Sequence, residues 1–226
     1  DIKKFISQQV NIIKSNELHE QICALNVEHI LTTNYDLCFE QALYLPEKQC
    51  KNTGVIKEAK FNLFRKYEAQ NKCIWHIHGA ANHYNSITLG YEHYSGYLQH
   101  MRNYVIAGTQ GTYKKQKFPS LIKRLKNNEV NFESWVDLFF THNIHIFGFG
   151  LDFVETDLWW LLTFRRKAML EKVKVFDVIN TIHYYIPERY LLTSQSKIDV
   201  LKSVGVIVHS MSDESSKKAY YQSVIG

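Results

Sequence analysis

Two apolar runs that stop abruptly in small polar residues constrain this chain most. One is Ile30-Leu31-Thr32-Thr33-Asn34-Tyr35-Asp36, and the other is Cys73-Ile74-Trp75-His76-Ile77 followed by His78-Gly79. Val27–Thr32 carries Val27, Ile30, Leu31 and Thr32 and is expected as a strand buried on both faces of a parallel sheet. In an open α/β sheet, ligands sit in the crevice outside the carboxyl ends of the strands. Two such ends, one offering Asn34 and Asp36 and the other His78, describe a site rather than a core.

The remaining periodicities supply the frame around that pair. Ile2, Phe5, Ile6, Val10 and Ile13 recur at helical spacing within Asp1–Asn16, and a short helix is expected over Leu18–Leu25. The chain turns at Thr33–Asp36 and enters a helix over Leu37–Leu45, which Pro46 closes. Glu47–Asn71 is polar and lysine-rich and reads as loop plus a surface helix. Lys72–Ile77 is the next strand. From Ala80 to His142 helices are expected at Tyr91–Val105, Leu121–Lys126 and Phe132–His142, so residues 80–142 form a helical insertion. Asn143–Phe147 is a third strand, and Gly148-Phe149-Gly150 follows it. Acidic residues from Asp152 to Asp157 suit the first turn of a helix that runs to Leu170, since its positive dipole end lies there. Strands at Ile182–Ile186 and Gly205–His209 flank a helix near Ser194–Ser203, and a polar tail from Asp213 ends in a short helix. Strands alternating with helices predict βαβ units in a Rossmann-like, doubly wound parallel sheet, with residues 1–226 as one domain.

Composition excludes several classes. No apolar run approaches the roughly 20 residues that cross a bilayer, and the N-terminus lacks a secretory layout, so no membrane role and a cytoplasmic setting are expected. Cys23, Cys38, Cys50 and Cys73 are scattered without a Cys-x-x-Cys pair, which argues for reduced thiols over a disulfide framework or a four-cysteine zinc site. The net charge of +5 is modest, and lysines cluster only in Tyr113–Lys117 and Lys123–Lys126. Such runs are solvated faces, too small for a nucleic-acid footprint.

Thr32-Thr33-Asn34-Tyr35-Asp36 resembles the Thr-Gln-Asn-x-Asp signature of sirtuins, and more closely the Thr-Thr-Asn-Tyr-Asp of bacterial sirtuin-like NAD hydrolases. Ile77-His78-Gly79 looks like their catalytic His-Gly, and Gly148-Phe149-Gly150-Leu151 stands where that family has a nucleotide-contacting loop. The resemblance implies that Asn34 holds the ribose and the attacking water, that Asp36 grips the carboxamide and that His78 is the general base. Thr32, Thr33, Gly79, Gly148, Phe149 and Gly150 would complete the NAD site. It implies hydrolysis of NAD to ADP-ribose and nicotinamide as an antiphage defence effector, with NAD as substrate and neither cofactor nor metal. A self-associating protein with a sensor domain or partner elsewhere in the parent chain is implied too. Breaking the nicotinamide–ribose bond passes through an oxocarbenium-like state, which needs a positioned water and a nearby base. A neutral imidazole titrating near pH 6.5 fits that base.

Two departures from the family matter. Sirtuin deacylases carry a zinc module of paired Cys-x-x-Cys units, and its lack here points to free NAD instead of acyl-lysine as the substrate. The family's opening strand and Gly-Ala-Gly-x-Ser phosphate loop would lie upstream of Asp1. A fragment of a longer polypeptide is therefore expected, and inactivity of this piece alone is one expected outcome. The chain begins on Asp1, already within a helical pattern.

Structural roles compete for the same residues. Asp36 is placed to cap the helix Leu37–Leu45, Asn34 to make a local turn, and His78 to pack and bond backbone. His76-x-His78 is a legitimate metal-ligand spacing, with His83 and His93 as further candidates. Gly148 and Gly150 either admit phosphates to backbone amides or simply permit a tight turn. Trp159-Trp160 reads as core or interface. The alternative to catalysis is a non-catalytic module that binds NAD or ADP-ribose and regulates.

Overall fold

The computed structural model describes residues 1–171, 176–212 and 216–226. Of the sequence-based expectations, the start of the polar tail at Asp213 lies outside the described residues. The chain divides into two units, residues 1–124 with 130–135 and residues 125–129 with 136–226.

In the first unit, α1 (Ile2–Val10) and α2 (Glu17–Ala24) lead into β1 (His29–Thr32), then α3 (Cys38–Ala42). β2 (Tyr67–Ala69) and β3 (Lys72–His76) follow, and α4 (Tyr91–Ile106) crosses the region after them. Strands β1 and β3 pair in parallel, His29 opposite Cys73 and Thr32 opposite His76, while β2 runs antiparallel on the other edge of β3. That antiparallel strand was not evident in the sequence, because Tyr67–Ala69 is too short to show a period.

A fifth helix, α5 (Leu121–Lys126), and a sixth, α6 (Trp135–Thr141), bring the chain to the second unit's sheet. Here β4 (Ile144–Ile146), β5 (Ile182–Pro187) and β6 (Ile207–Met211) are all parallel, with Ile144 opposite Ile182 and Tyr184 opposite Val208. Helices α7 (Thr156–Leu170), α8 (Gln195–Ser203) and α9 (Lys217–Ile225) accompany them. Parallel pairing flanked by helices in both units is a Rossmann-like α/β arrangement. No helix among the described residues is long and apolar enough to cross a membrane.

Several local expectations are corrected. Strand β1 alternates: Ile30 and Thr32 are buried, while His29 and Leu31 are half-buried. Its pleat turns successive side chains to opposite faces, and only one face is closed. The apolar stripe of α1 is only partly covered: Ile2 and Phe5 are exposed, Ile6 and Val10 are half-buried, and Ser7 is the residue that is buried. Ser7 Oγ donates to the Ala81 carbonyl at 2.6 Å, so a hydroxyl helps to anchor this helix.

The segment Glu47–Asn71 contains no surface helix; its only helical piece is a 3-10 turn at Glu47–Gln49. It instead folds inward as a polar knot around Leu63 and Phe64, both fully buried. The carboxylate of Glu58 takes the Phe64 N–H at 2.8 Å and the Tyr113 O–H at 2.6 Å, and Asn62 donates to the Ser86 carbonyl at 3.0 Å. These bonds satisfy backbone groups that a buried irregular segment would otherwise leave orphaned.

The helix after Gly150 starts at Thr156, not near Asp152, so only Asp157 of the acidic group lies in its first turn. Trp159 and Trp160 are half-buried. Trp159 Nε1 donates to the Asp152 carbonyl at 3.1 Å and its ring stacks on Phe153, so this tryptophan pins the loop that precedes α7. All four cysteines are free thiols.

Candidate active site

The paired register of β1 and β3 brings the two strand ends side by side. Thr32 and His76 are partners, and the Ile77 N–H donates to the Thr32 carbonyl at 3.0 Å, one step past the last strand residue. Asn34 and His78 each follow two residues beyond that last pair, at the carboxyl ends of adjacent parallel strands.

From Thr32 the chain leaves the sheet by local bonds. The Asn34 N–H donates to Thr32 Oγ1 at 3.1 Å. The Cys38 N–H donates to Asp36 Oδ1 at 3.1 Å, which turns the backbone into α3. That helix spans Cys38–Ala42 instead of Leu37–Leu45, and its N-cap is Leu37, so Asp36 acts one residue earlier than a cap would. Its local structural role is nonetheless real, because the bond satisfies an amide at the helix entrance. Asn34 is exposed, Thr33 and Asp36 are half-buried and Thr32 is buried.

The second strand end is closed by backbone geometry. Gly79 adopts φ +109°, and a Cβ there would lie 2.5 Å from the Ser86 carbonyl oxygen, so only glycine fits this turn. The Thr88 N–H donates to the His78 carbonyl at 2.8 Å, and Tyr35 O–H donates to the Thr88 carbonyl at 2.8 Å. Tyr35 and His78 are thereby tied to the same residue. His78 is 2% exposed, with the rings of Tyr94 and Tyr97 presented edge-on at 5.4 and 6.4 Å. The structure therefore brings both strand ends together, with the Asn34 side chain toward solvent and the His78 ring packed among tyrosines.

Both ring nitrogens of His76 are engaged in hydrogen bonds. Its Nδ1 lies 3.0 Å from the Asn34 carbonyl, and since a carbonyl only accepts, Nδ1 carries the proton and donates. Its Nε2 lies 2.8 Å from Glu40 Oε1, and both side chains are fully buried. Burial works against the charged ring, but Glu40 and the Asn34 carbonyl outweigh it, so His76 is held above the usual histidine value. With both nitrogens engaged, His76 presents no open ligand atom in this arrangement. His93 is likewise occupied, with Nδ1 against Lys3 Nζ at 2.8 Å and Nε2 donating to the Lys60 carbonyl at 3.2 Å.

Glu40, Tyr35 and Thr88 were not picked out by sequence reasoning. Glu40 is 36 residues from His76 in the chain, and nothing local to either residue marks the pair. Tyr35 lies inside the motif, and its hydroxyl was the one signal available there.

Gly148-Phe149-Gly150 belongs to the second unit. Gly148 has φ +64°, and a Cβ would meet Tyr221 Oη at 2.4 Å. Its N–H donates to Tyr220 Oη at 3.1 Å, and Tyr220 in turn donates to the Tyr185 carbonyl at 2.9 Å. The carbonyls of Phe149 and Gly150 accept from Tyr184 Oη at 3.1 and 3.3 Å, and Lys197 Nζ donates to the Gly150 carbonyl at 2.6 Å. The loop lies five or more residues before α7, so its amides are not those of a helix N-terminus.

Parallel strands flanked by helices, with polar residues at their carboxyl ends, define an α/β domain of Rossmann-like type. The family model of the SIR2-like domain matches residues 28–152, more than half of the chain, from the approach to β1 through the loop after β4. The chain belongs to the SIR2-like family, which is associated with NAD-dependent enzymatic activity. No curated protein matches it.

Proposed function

We propose that this domain hydrolyses NAD to ADP-ribose and nicotinamide, as a cytoplasmic antiphage effector within a longer, self-associating protein that senses infection elsewhere in its chain. The observation that carries the reading is the pairing of Thr32 with His76, which sets Asn34 and His78 at neighbouring strand ends. The Asn34 amide, exposed and held by backbone bonds on both sides, is free of structural duty and suits a contact to ribose and water. Asp36 would accept from the nicotinamide carboxamide, and Thr32, Thr33 and Gly79 would line the approach.

The chemistry asks little of a nucleophile. The bond between C1′ of the ribose and the pyridinium nitrogen breaks, its electron pair leaving with nicotinamide. Water adds to the oxocarbenium-like C1′, and its proton passes to the imidazole of His78. NAD is consumed as substrate, with no metal in the step.

Two observations favour a second reading, a module that binds NAD or ADP-ribose without turnover. The His78 ring is buried among tyrosine edges, and the Gly148 amide already has a partner in Tyr220. An NAD consumption assay on the full-length parent protein separates the two. Turnover that disappears in both Asn34→Ala and His78→Ala supports hydrolysis, and turnover intact in both variants defeats it. Absence of turnover with a nucleotide-dependent rise in melting temperature supports the binding module.

A further inference from the structure

The second unit's sheet gathers three imidazoles on one face. Along β5, Ile182, Tyr184 and Ile186 are buried while His183 and Tyr185 between them are half-buried, because a strand's side chains alternate. Register puts His145 of β4 opposite His183, and His209 of β6 opposite Tyr185. The rings stack. His145 lies on His183 with centroids 4.8 Å apart, His183 on His209 at 5.1 Å and Tyr185 on His209 at 4.7 Å. We propose that His183 and His209 form an acid-opened latch between β5 and β6, closed while the pair holds at most one extra proton and released by the second.

The tautomers follow from the bonds around the pair. The Thr181 N–H donates to Asn143 Oδ1 at 2.9 Å, which fixes that oxygen as an acceptor. The Thr181 hydroxyl donates to the same oxygen at 3.1 Å, so its single hydrogen is spent and its Oγ1 accepts from His183 Nε2 at 2.9 Å. A neutral His183 then keeps its lone pair on Nδ1, and His209 Nε2 donates to it at 2.8 Å. His209 Nδ1 has no partner among the described residues, so a proton can enter there with every bond of this chain retained. Once His209 carries both hydrogens, a proton on His183 turns the two facing nitrogens into donors. The bond between the strands is then lost.

Like charge adds to that cost. Burial first, and then the imidazoles of His145 and His209, hold His183 below the usual histidine value. Those two rings are the charges that act on it; among the described residues none comes from α8 or α9, which pack on β6. Tyr185 is the other titratable group in the stack. The unfolded chain takes this proton first, so the stabilisation is complete above pH 6.5 and is lost as pH falls below it.

Release reaches the loop after β4. The Tyr185 carbonyl accepts from Tyr220 Oη at 2.9 Å, and the same hydroxyl takes the Gly148 N–H at 3.1 Å. Tyr220 lies on α9, the helix that follows β6, so loosening β6 frees the Gly148 amide.

The latch does not rest on NAD turnover, and its test uses none. Long-range ¹H–¹⁵N spectra of the full 226-residue chain, recorded from pH 8 to 5, read the protonation of each ring nitrogen. At pH 8 His183 is expected with hydrogen on Nε2 and a lone pair on Nδ1. On acidification His183 should charge only below the free-histidine value of 6.5, and the Gly148 amide should lose protection from solvent exchange at the same step. His209→Phe keeps a stacking ring without donor or charge, and should raise the pH at which His183 titrates. An unchanged His183 titration in that variant would overturn the proposal. If the variant does not fold, the native spectra decide: hydrogen on His183 Nδ1 at pH 8, a His183 titration at or above the free value, or a Gly148 amide unmoved as His183 charges would each overturn it.

Discussion

The ring of His76 donates from Nδ1 to the carbonyl of Asn34 across 3.0 Å, and its other nitrogen rests 2.8 Å from Glu40. The end of one strand thus carries the backbone of the neighbouring strand's motif. The residue that holds Asn34 in place is not the histidine assigned to chemistry but the one two positions before it.

Removing the carboxylate from this pair should be costly. Glu40 and His76 are both fully buried, so Glu40→Ala leaves an imidazole facing a cavity, and breaking a buried pair in this way costs about 3–5 kcal/mol. Chemical denaturation of the native chain and the variant measures the loss. A difference below about 1 kcal/mol would show that the pair does not organise the strand ends.

Asn34→Ala should do the opposite. Both hydrogen bonds at this residue are made by its backbone, and the side chain is exposed, so stability should stay within about 0.5 kcal/mol of native. Turnover of NAD by the full-length parent should fall by about 10²-fold or more if the amide positions water and ribose. Paired melting curves and NAD assays separate loss of function from loss of fold.

Gly79→Ala is expected to lower stability by on the order of 1–3 kcal/mol, because it combines a positive φ with a clash against Ser86 and Ile87. The effect should appear in the melting temperature even without any nucleotide. That outcome would assign the glycine of the His-Gly pair to the turn. A neutral result would mean that the turn relaxes.

The buried carboxyl of Glu58 gives the first unit a pH dependence. Burial pushes it up from 4.5 to about 7, against the opposing bonds from Tyr113 and Phe64. The folded state therefore holds this proton more tightly than the unfolded chain. The stabilisation is present in full below about pH 4.5 and is lost as pH rises through about 7. Melting temperatures recorded from pH 5 to 8 should fall more steeply in the native chain than in Glu58→Gln, whose amide stays neutral throughout. Equal slopes would place the titration elsewhere.

Much of this architecture was legible in residue pattern. β-Branched and apolar runs marked β1, β3, β4, β5 and β6 because a strand's period and its abrupt polar end are local properties. The motif residues from Thr32 to Asp36 and at His78 could be placed at strand ends for the same reason. The parallel register that pairs Thr32 with His76 could only be inferred as a class of topology, since it depends on residues 44 positions apart. Glu58, Asn62 and Arg65 were hidden in a lysine-rich stretch, because burial of a polar group depends on partners such as Tyr113 and Ser86.

The sequence by itself determined where β1, β3, β4, β5 and β6 form and which residue types stand at their ends, since propensity and periodicity act over a few neighbours. Tertiary structure decided which of those residues meet. It set His76 against Glu40 and Asn34, joined His183 to His209, and gave Gly79 a turn that admits no Cβ. Those outcomes rest on distances between residues far apart in the chain, and such distances are fixed only when the sheet and its helices pack.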